Sequence, residues 1–182
     1  MGAAVPRDKI YTIEYIINLP DGERAELIDG QLFNMASPNT RHQRISFNLA
    51  LKISNYINNG SCEVFLAPFA VFIKQDDINY VEPDISVICD ASKIDDKGCH
   101  GAPDWIIEIT SPSNAGYDFI TKLSLYKSAG VKEYWIVHPQ ENIIYVYYFA
   151  EDEYIPHTYT FKDKVNSYLF EGLTIDFSEI RI

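Results

Sequence analysis

Apolar residues recur along the chain in two patterns, one with helical spacing and one in short continuous runs. Helical spacing predicts a short helix at residues 13–18, a long one from residue 40 to about 59, and a third from residue 113 or 114 to 129. Asp29-Gly30, which lies between two short apolar runs, predicts a tight β-hairpin. Helices separated by many strand-like runs predict an α+β (mixed α/β) fold, with a central mixed sheet flanked by helices.

Strand-like runs occupy most of the remaining chain. They fall at residues 63–73 with a bend at Pro68, 81–88, 104–110, 133–137, 143–149, 154–161, 168–170 and 173–175. The polar stretch 90–101 is predicted to be a surface loop. A length of 182 residues suits a single domain over 1–182, with its core at about 25–150 and C-terminal strands within 154–176.

Two acidic residues occupy strand positions where an unpaired charge is costly. Asp84 follows Pro83 at the start of an apolar run, and Glu108 lies in the middle of the run Trp105-Ile106-Ile107-Glu108-Ile109. Removing an unpaired carboxylate from water costs a large free energy. We therefore expect Glu108 to have either a bound cation or a charged partner.

The third predicted helix carries two charges on its apolar side. At about 100° per residue, its apolar arc contains Phe119, Ile120, Leu123, Leu125, Tyr126 and Ala129. Asp118 and Lys122 lie within that arc, whereas a solvated ion pair would be expected on the serine-rich side. The pair is therefore predicted to point into the protein, with Asp118 holding Lys122.

Two inward carboxylates near an inward lysine predict a site for a hard divalent cation and a phosphate. Mg²⁺ prefers a few carboxylate oxygens and keeps water ligands, while a lysine stabilises charge on a phosphate or positions the attacking water. Two further residues have alternative interpretations. Glu26 is either a charged edge residue or part of the site, and His42, on the core stripe of the long helix, is either a structural histidine or a site residue.

The charge balance argues against a nucleic-acid substrate. The net charge is −11, whereas DNA binding usually depends on a basic surface that releases counterions. One flank of the long helix does carry Arg41, Arg44 and Lys52. This stripe is either an ordinary solvated face or a surface that contacts phosphates.

The order Pro83-Asp84, then Glu108 and Thr110, then a helical Lys122 resembles the PD-(D/E)XK restriction-endonuclease-like superfamily. Within it, the chain resembles the bacterial Uma-type family of restriction endonucleases. The matching segments cover nearly the whole chain: residues 26–30, 37–38 with 42–45, 83–87, 108–113, 118–126 and 130–137. Thr110 stands where the superfamily usually has a lysine, so Lys122 would have to reach the site from the helix.

This resemblance implies a restriction-endonuclease-like core and a Mg²⁺-dependent endonuclease, with Mn²⁺ as an alternative, that hydrolyses DNA. It implies that Asp84 and Glu108 bind the metal with the Ile109 carbonyl as a further ligand, and that Lys122 is the catalytic lysine. The supporting residues would be Glu26, His42, Thr110 and Asp118. Many members of the superfamily pair to cut two strands, so a homodimer is expected, with the aromatic strand 145–149 as a candidate contact.

Two other functions stay open. A glycosidase could use Asp84 and Glu108 as acid and base or nucleophile, which needs a carboxyl separation of about 5 to 9.5 Å and gives Lys122 no role. A nuclease-fold protein could instead bind nucleic acid or a protein partner without cutting. In that case Glu108, Asp118 and Lys122 would form a buried structural ion-pair network.

Hydropathy and cysteine usage indicate where in the cell the protein is expected. There is no apolar stretch long enough for a signal peptide or a membrane span, so a cytoplasmic protein with no membrane partner is expected. Cys62, Cys89 and Cys99 are odd in number and fit no zinc spacing, which agrees with a reducing compartment.

Overall fold

The computed structural model describes residues 9–110, 117–150 and 155–181, and only the backbone at 117–119. The helices are α1 (Ile13–Ile17), α2 (Thr40–Ile57) and α3 (Tyr117–Ala129), with 3-10 turns at Ala91–Lys93 and Phe177–Glu179. The strands are β1 (Ala25–Ile28), β2 (Gln31–Asn34), β3 (Glu63–Leu66), β4 (Val71–Phe72), β5 (Ile85–Ile88), β6 (Ile94–Asp95), β7 (Gly98–His100), β8 (Trp105–Ile109), β9 (Glu133–His138), β10 (Ile143–Tyr148), β11 (His157–Thr160), β12 (Lys164–Asn166) and β13 (Thr174–Asp176).

Within these ranges, six strands form a central sheet in the order β11-β10-β9-β8-β5-β3. Its neighbouring strands are antiparallel except for β8 and β9, which run parallel and are connected through α3. The predicted α+β class with a central mixed sheet is therefore confirmed.

Alternate residues of the central strands pack into two separate cores. One face carries Ile107 and Trp135, which pack with Ile53 and its neighbours on α2 and with the C-terminal segment. The other face carries Ile106 and Ile136, which pack with Tyr126 of α3. Because both faces are covered, β5, β8 and β9 are buried almost throughout, which explains their continuous apolar runs.

Several local predictions are confirmed. The hairpin turn lies at Asp29 and Gly30, whose φ angles of 47° and 75° are both positive, as a type I′ turn requires. Helix α2 begins after Asn39, whose side chain accepts a hydrogen bond from the His42 N–H at 2.9 Å. Helix α3 ends before Gly130, at φ 96°. Its predicted start at 113 or 114 lies outside the described residues.

The stretch 90–101 is not the plain surface loop that its polar composition predicted. It contains a 3-10 turn and the antiparallel pair β6–β7, and β7 also pairs in parallel with β4. Gly98 has φ 139°, and a Cβ there would lie 2.2 Å from the Ala70 carbonyl oxygen. The two backbones approach too closely for any other residue, and this long-range pairing leaves no periodic signal in the sequence.

Other elements also differ from their predictions. The run 63–73 is split by Pro68 into β3, in the central sheet, and β4, in a three-stranded sheet. Residues 168–170 are not a strand, and β12 was missed. Ile120, placed on the inward arc of α3, is 73% exposed, because it lies about 200° around the helix from the buried Lys122.

Cysteine chemistry differs from the expectation as well. Cys62 and Cys89 flank the β3–β5 pair and form a disulfide, while Cys99 is buried with a free thiol. Cysteine usage therefore no longer argues for a reducing compartment. None of the helices in the described ranges is long and apolar enough to cross a membrane.

Candidate metal and phosphate site

A cavity of about 460 Å³ lies where β5 begins and β8 ends. The antiparallel register pairs Ile85 with Ile107, which places Asp84 opposite Glu108. Since side chains alternate along a strand, Glu108 shares the sheet face of Ile106, and that face is covered by α3. Both carboxylates and Lys122 line the cavity, so the structure brings the three central residues of the sequence prediction together.

Helix α3 supplies two donors to Glu108. The Lys122 Nζ lies 2.9 Å from Glu108 Oε1, and the Tyr126 hydroxyl donates to the same oxygen at 2.6 Å. Lys122 and Tyr126 are four residues apart and therefore lie on the same face of the helix. The Lys122 Nζ also lies 2.7 Å from Glu26 Oε2, so one ammonium group joins β1, β8 and α3.

The charges of this cluster depend on burial. Burial raises the pKa of Glu108 to about 7 against the opposing effect of Lys122, and the negative charges of Asp84 and Glu26 raise it further. Burial lowers the pKa of Lys122, but the carboxylates of Glu108 and Glu26 outweigh it and hold that pKa well above its ordinary value. Lys122 is therefore cationic, while Glu108 titrates near neutrality.

Asp84 is held from the opposite side. Its Oδ2 accepts the Ile109 N–H at 2.7 Å and lies 3.0 Å from His42 Nε2. Burial lowers the pKa of His42, but the hydrogen bond to Asp84 and the charges of Asp84 and Glu108, with a backbone hydrogen bond at Ile109, raise it above its usual value. Asp84 thus shifts His42 toward its protonated form relative to an ordinary histidine, and His42 Nε2 is the nitrogen that faces Asp84.

Glu26 belongs to a second cluster that the sequence did not reveal. Its Oε1 accepts the Glu82 N–H at 3.1 Å. The Glu82 carboxylate accepts from the Tyr80 hydroxyl at 2.8 Å and forms an ion pair with Arg24. These partners are distant in sequence, whereas Tyr126 could have been found from its i,i+4 spacing to Lys122.

The remaining predicted site residues have different positions. Thr110 lines the cavity, but its hydroxyl lies 3.5 Å from the Val137 carbonyl and it supplies no charge. Arg41 donates to Asn142 at 2.9 Å, Lys52 donates to Glu179 at 2.8 Å, and neither of them nor Arg44 is among the cavity residues. The side chain of Asp118 lies outside the described part of the chain, so its predicted pairing with Lys122 stays a prediction.

A divalent cation is compatible with the donors present, although they are few. In the described ranges, no group of three or more His, Cys, Asp or Glu side chains is arranged to hold a metal ion. All hydrogen bonds that Asp84 and Glu108 accept from described residues reach one oxygen each, Oδ2 and Oε1. With respect to those residues, the second oxygen of each carboxylate is available. Two carboxylate oxygens with a backbone carbonyl and water suit Mg²⁺, which does not need an all-protein cage.

The Ile109 carbonyl lies on the Asp84 side of β8, where a backbone hydrogen bond at Ile109 raises the pKa of His42, and its role as a metal ligand stays a prediction. The N–H and C=O of a strand residue point to the same side, and the Ile109 N–H points to Asp84. A cation held by Asp84 and Glu108 would offset the repulsion between these carboxylates, which contributes to the raised pKa of Glu108.

A mixed sheet that carries a strand-start aspartate, a mid-strand glutamate and a helical lysine into one cavity has the layout of a restriction-endonuclease-like protein. The family model Uma2, described as "Putative restriction endonuclease", matches residues 11–178, and the chain belongs to this family. The resemblance stated from the sequence is therefore confirmed.

Known proteins agree with this assignment. The crystal structure of a "putative nuclease belonging to DUF820" from Anabaena variabilis ATCC 29413 superposes with a TM-score of 0.76, over 93% of this chain and 96% of that one. At 22% identity, this likeness shows the shared fold.

Two proteins of Synechocystis sp. are similar in sequence. Uncharacterized protein slr1290 is 32% identical over 57% of this chain, and uncharacterized protein sll1609 is 28% identical over 63%. The matches span 54% and 66% of those relatives' own lengths.

Proposed function

We propose that this protein is a Mg²⁺-dependent endonuclease that hydrolyses phosphodiester bonds of DNA, with Mn²⁺ as an alternative cofactor. The observation that carries the proposal is the pairing of Asp84 with Glu108 across two strands, beside a cationic Lys122. Each carboxylate has one oxygen that accepts no hydrogen bond from the residues that the structure describes. Family membership supports a nuclease in general. The metal, the substrate and the residue roles are our proposal.

In this proposal Asp84, Glu108 and the Ile109 carbonyl hold the metal. The chemistry that a bound Mg²⁺ supplies is polarisation of a phosphate oxygen and activation of a water molecule. His42 keeps Asp84 oriented through its Nε2, and Tyr126 keeps Glu108 oriented through its hydroxyl. Such hydrogen bonds to ligand side chains fix the geometry of a metal site.

Lys122 supplies the positive charge that Thr110 cannot. Its Nζ lies between Glu26 and Glu108, so its position is fixed before substrate arrives. A preorganised ammonium group at the cavity stabilises negative charge that develops on the transferred phosphate. Glu26 then acts as the group that positions Lys122, rather than as a metal ligand.

The test is metal binding followed by cleavage. Isothermal calorimetry with Mg²⁺ or Mn²⁺ should show saturable binding to the native chain and at least a roughly tenfold weaker Kd for Glu108→Gln. Glu63→Gln is the matched control, because Glu63 is an exposed carboxylate on the neighbouring part of the sheet and outside the cavity. Equal metal affinity of all three proteins would contradict the proposed site.

A non-cutting protein of the same fold is the second candidate. It is favoured by the absence of a lysine at residue 110 and by the pairing of Lys122 with two carboxylates, which already forms a closed ion-pair network. Nucleic acid that binds to the protein and stays intact with Mg²⁺ and Mn²⁺ would support this candidate.

The glycosidase alternative has weaker support. A Glu108 pKa of about 7 would suit a general acid, but the lysine partner has no role in that chemistry and family membership favours a nuclease.

We also propose a homodimer, as the resemblance to the restriction-endonuclease-like superfamily implies. The aromatic strand that the sequence suggested for this contact makes ring contacts within the chain, Tyr147 with Tyr134 and Tyr148 with Tyr168. These contacts account for two rings of the strand, and its role as a dimer contact stays a prediction. Light scattering at several protein concentrations tests this part of the proposal.

A further inference from the structure

The cavity is poorly equipped to bind a run of phosphates. Among the described residues that line it, Arg24, His42 and Lys122 are the basic ones, and each is already paired with a carboxylate. Four carboxylates line the same space: Glu26, Glu82, Asp84 and Glu108. Backbone binding by nucleic-acid proteins depends on unpaired cations that replace counterions. Affinity for a substrate beyond the one phosphate at the proposed metal must therefore come from another kind of contact.

Apolar and amide side chains around the cavity offer that contact. Phe47 of α2 lines the cavity and is 60% exposed, although a large apolar residue is normally buried. Leu66, at the end of β3, also lines the cavity and is 40% exposed. Asn34 and Gln43 are exposed amides in the same lining, and amides can both donate to and accept from the edge of a base.

The cavity size restricts what these groups can contact. A volume of about 460 Å³ lies within the range of pockets that enclose small ligands, about 300–1,000 Å³. A base inside a duplex is stacked and paired, so its face is not accessible to Phe47 unless it leaves the helix at a cost of a few kcal/mol. An unpaired nucleotide presents its face and edge without that cost.

We propose that the cavity accepts an unpaired nucleotide of single-stranded DNA, with its base stacked on Phe47 and its phosphate beside the cation that Asp84 and Glu108 would hold. This inference rests on the proposed function and specifies its substrate: single strands, overhangs or flaps rather than intact duplex. Stacking on an aromatic side chain tolerates any base, so the preference is for strand structure rather than for sequence.

The experiment compares three fluorescein-labelled DNAs by anisotropy with Ca²⁺ in place of Mg²⁺: a single strand, the blunt duplex of the same sequence, and that duplex with a single-stranded overhang. The native chain should bind the single strand and the overhang at least roughly tenfold more tightly than the blunt duplex. Phe47→Ala should weaken single-strand binding by about 5- to 150-fold, which corresponds to the usual loss on removal of a base-stacking aromatic residue.

Two further variants separate stacking from general effects on the helix. Leu51→Ala is the matched control, because Leu51 is 47% exposed on the same helix but does not line the cavity, and its affinity should match the native value. Phe47→Trp should restore single-strand binding, since tryptophan also stacks. Thermal melting of each variant verifies that it is folded.

The outcomes distinguish this inference from the proposed function. Equal affinity for single strand and blunt duplex, or a Phe47→Ala variant that behaves like Leu51→Ala, would overturn the inference, as would failure to bind any of the DNAs. Cleavage is then measured with Mg²⁺. Phe47-dependent binding of single strands without cleavage would support the inference and contradict the proposed nuclease activity. Cleavage of blunt duplex that does not depend on Phe47 would support the nuclease activity and overturn the inference.

Discussion

Glu108 and Glu133 are glutamates on neighbouring strands whose surroundings differ in kind: Glu133 is fully buried, whereas the side chain of Glu108 is 13% exposed. Glu133 accepts hydrogen bonds from the Trp135 indole at 2.6 Å, the Ser167 hydroxyl at 2.8 Å and the Leu169 N–H at 2.8 Å. All of these donors are neutral and belong to the protein interior. Glu108 has a lysine and a tyrosine hydroxyl on one oxygen, and it lies at a cavity.

The difference shows how a carboxylate in a strand can be interpreted. Neutral donors that surround both oxygens compensate for lost hydration and leave nothing for a ligand. Glu133 therefore fixes the segment 167–169 to the sheet and has a structural role. A carboxylate whose lost hydration is offset mainly by a cation, and whose second oxygen accepts nothing from the described residues, can bind a metal ion or a proton in place of that cation. We propose this for Glu108.

The largest effect should come from Glu108→Gln measured on cleavage. Loss of a metal ligand removes several kcal/mol of charge stabilisation, so we expect a decrease in kcat/KM on the order of 10³-fold. The melting temperature should not fall, because Lys122 keeps Glu26 as its partner and glutamine does not carry the ionised charge that burial disfavours. Retained cleavage together with a strongly lowered melting temperature would assign Glu108 to the same structural class as Glu133.

Glu133→Ala should give the opposite result. It leaves an indole N–H, a hydroxyl and backbone N–H groups without their acceptor, which should lower the free energy of unfolding by about 3 kcal/mol. Urea denaturation measures this loss, with Glu63→Ala as the exposed control. Metal affinity of the folded fraction should equal that of the native chain, and a weakened Kd would show that the two carboxylates are coupled.

Metal binding should depend on pH through Glu108. Its pKa is raised to about 7, so below that pH a proton must leave before the metal binds, and the apparent affinity should fall up to about tenfold per unit. Above pH 7 the affinity should level off. Calorimetry at about pH 6, 7 and 8 tests the curve, which should be flat if Glu108 is not a ligand.

The same raised pKa has a consequence for stability without metal. The native state holds this proton more tightly than the unfolded chain, whose glutamate pKa is about 4.5. The contribution of this bound proton to the free energy of unfolding is therefore fully present below about pH 4.5 and is lost as the pH rises through about 7. A native chain and a Glu108→Gln variant with the same pH dependence of melting between about 5 and 8 would contradict this.

The smallest effect is expected from Tyr126→Phe. The Tyr126 hydroxyl lowers the pKa of Glu108, so its removal should move the midpoint of the metal-affinity curve to higher pH and weaken binding at pH 7 by about tenfold or less. Tyr56→Phe, which removes a hydroxyl bonded to the Glu171 carbonyl outside the cavity, is the control. A purely structural Tyr126 would lower stability without moving the midpoint.

Much of the site could be predicted because it depends on local patterns. A charge inside an apolar run identified Glu108, and helical periodicity placed Lys122 on the inward side. Asp29-Gly30 likewise identified the hairpin, since a type I′ turn has a strong short-range preference. These patterns report which face a residue occupies, and the structure agrees with all three positions.

What the sequence did not reveal depends on long-range partners. Arg24 and Glu82 are 58 residues apart, and Glu133 meets Leu169 across 36 residues. Such pairs have no periodicity, so the sequence correctly placed Glu133 in a strand but did not reveal its partners, and residues 168–170 were wrongly predicted to be a strand. Ile120 was misplaced for a related reason: an apolar residue near the edge of an arc can face solvent once packing selects a narrower contact surface.

The double pairing of Lys122 also connects occupancy of the cavity to the stability of neighbouring elements. The ammonium group connects α3 to β1 through Glu26 and to β8 through Glu108. A ligand that binds Glu108 would leave Lys122 paired with Glu26 alone. The contact of α3 with β8 would then weaken, and its contact with β1 would change. Amide hydrogen exchange in the last two turns of α3 and in β1 should therefore report whether the cavity is occupied.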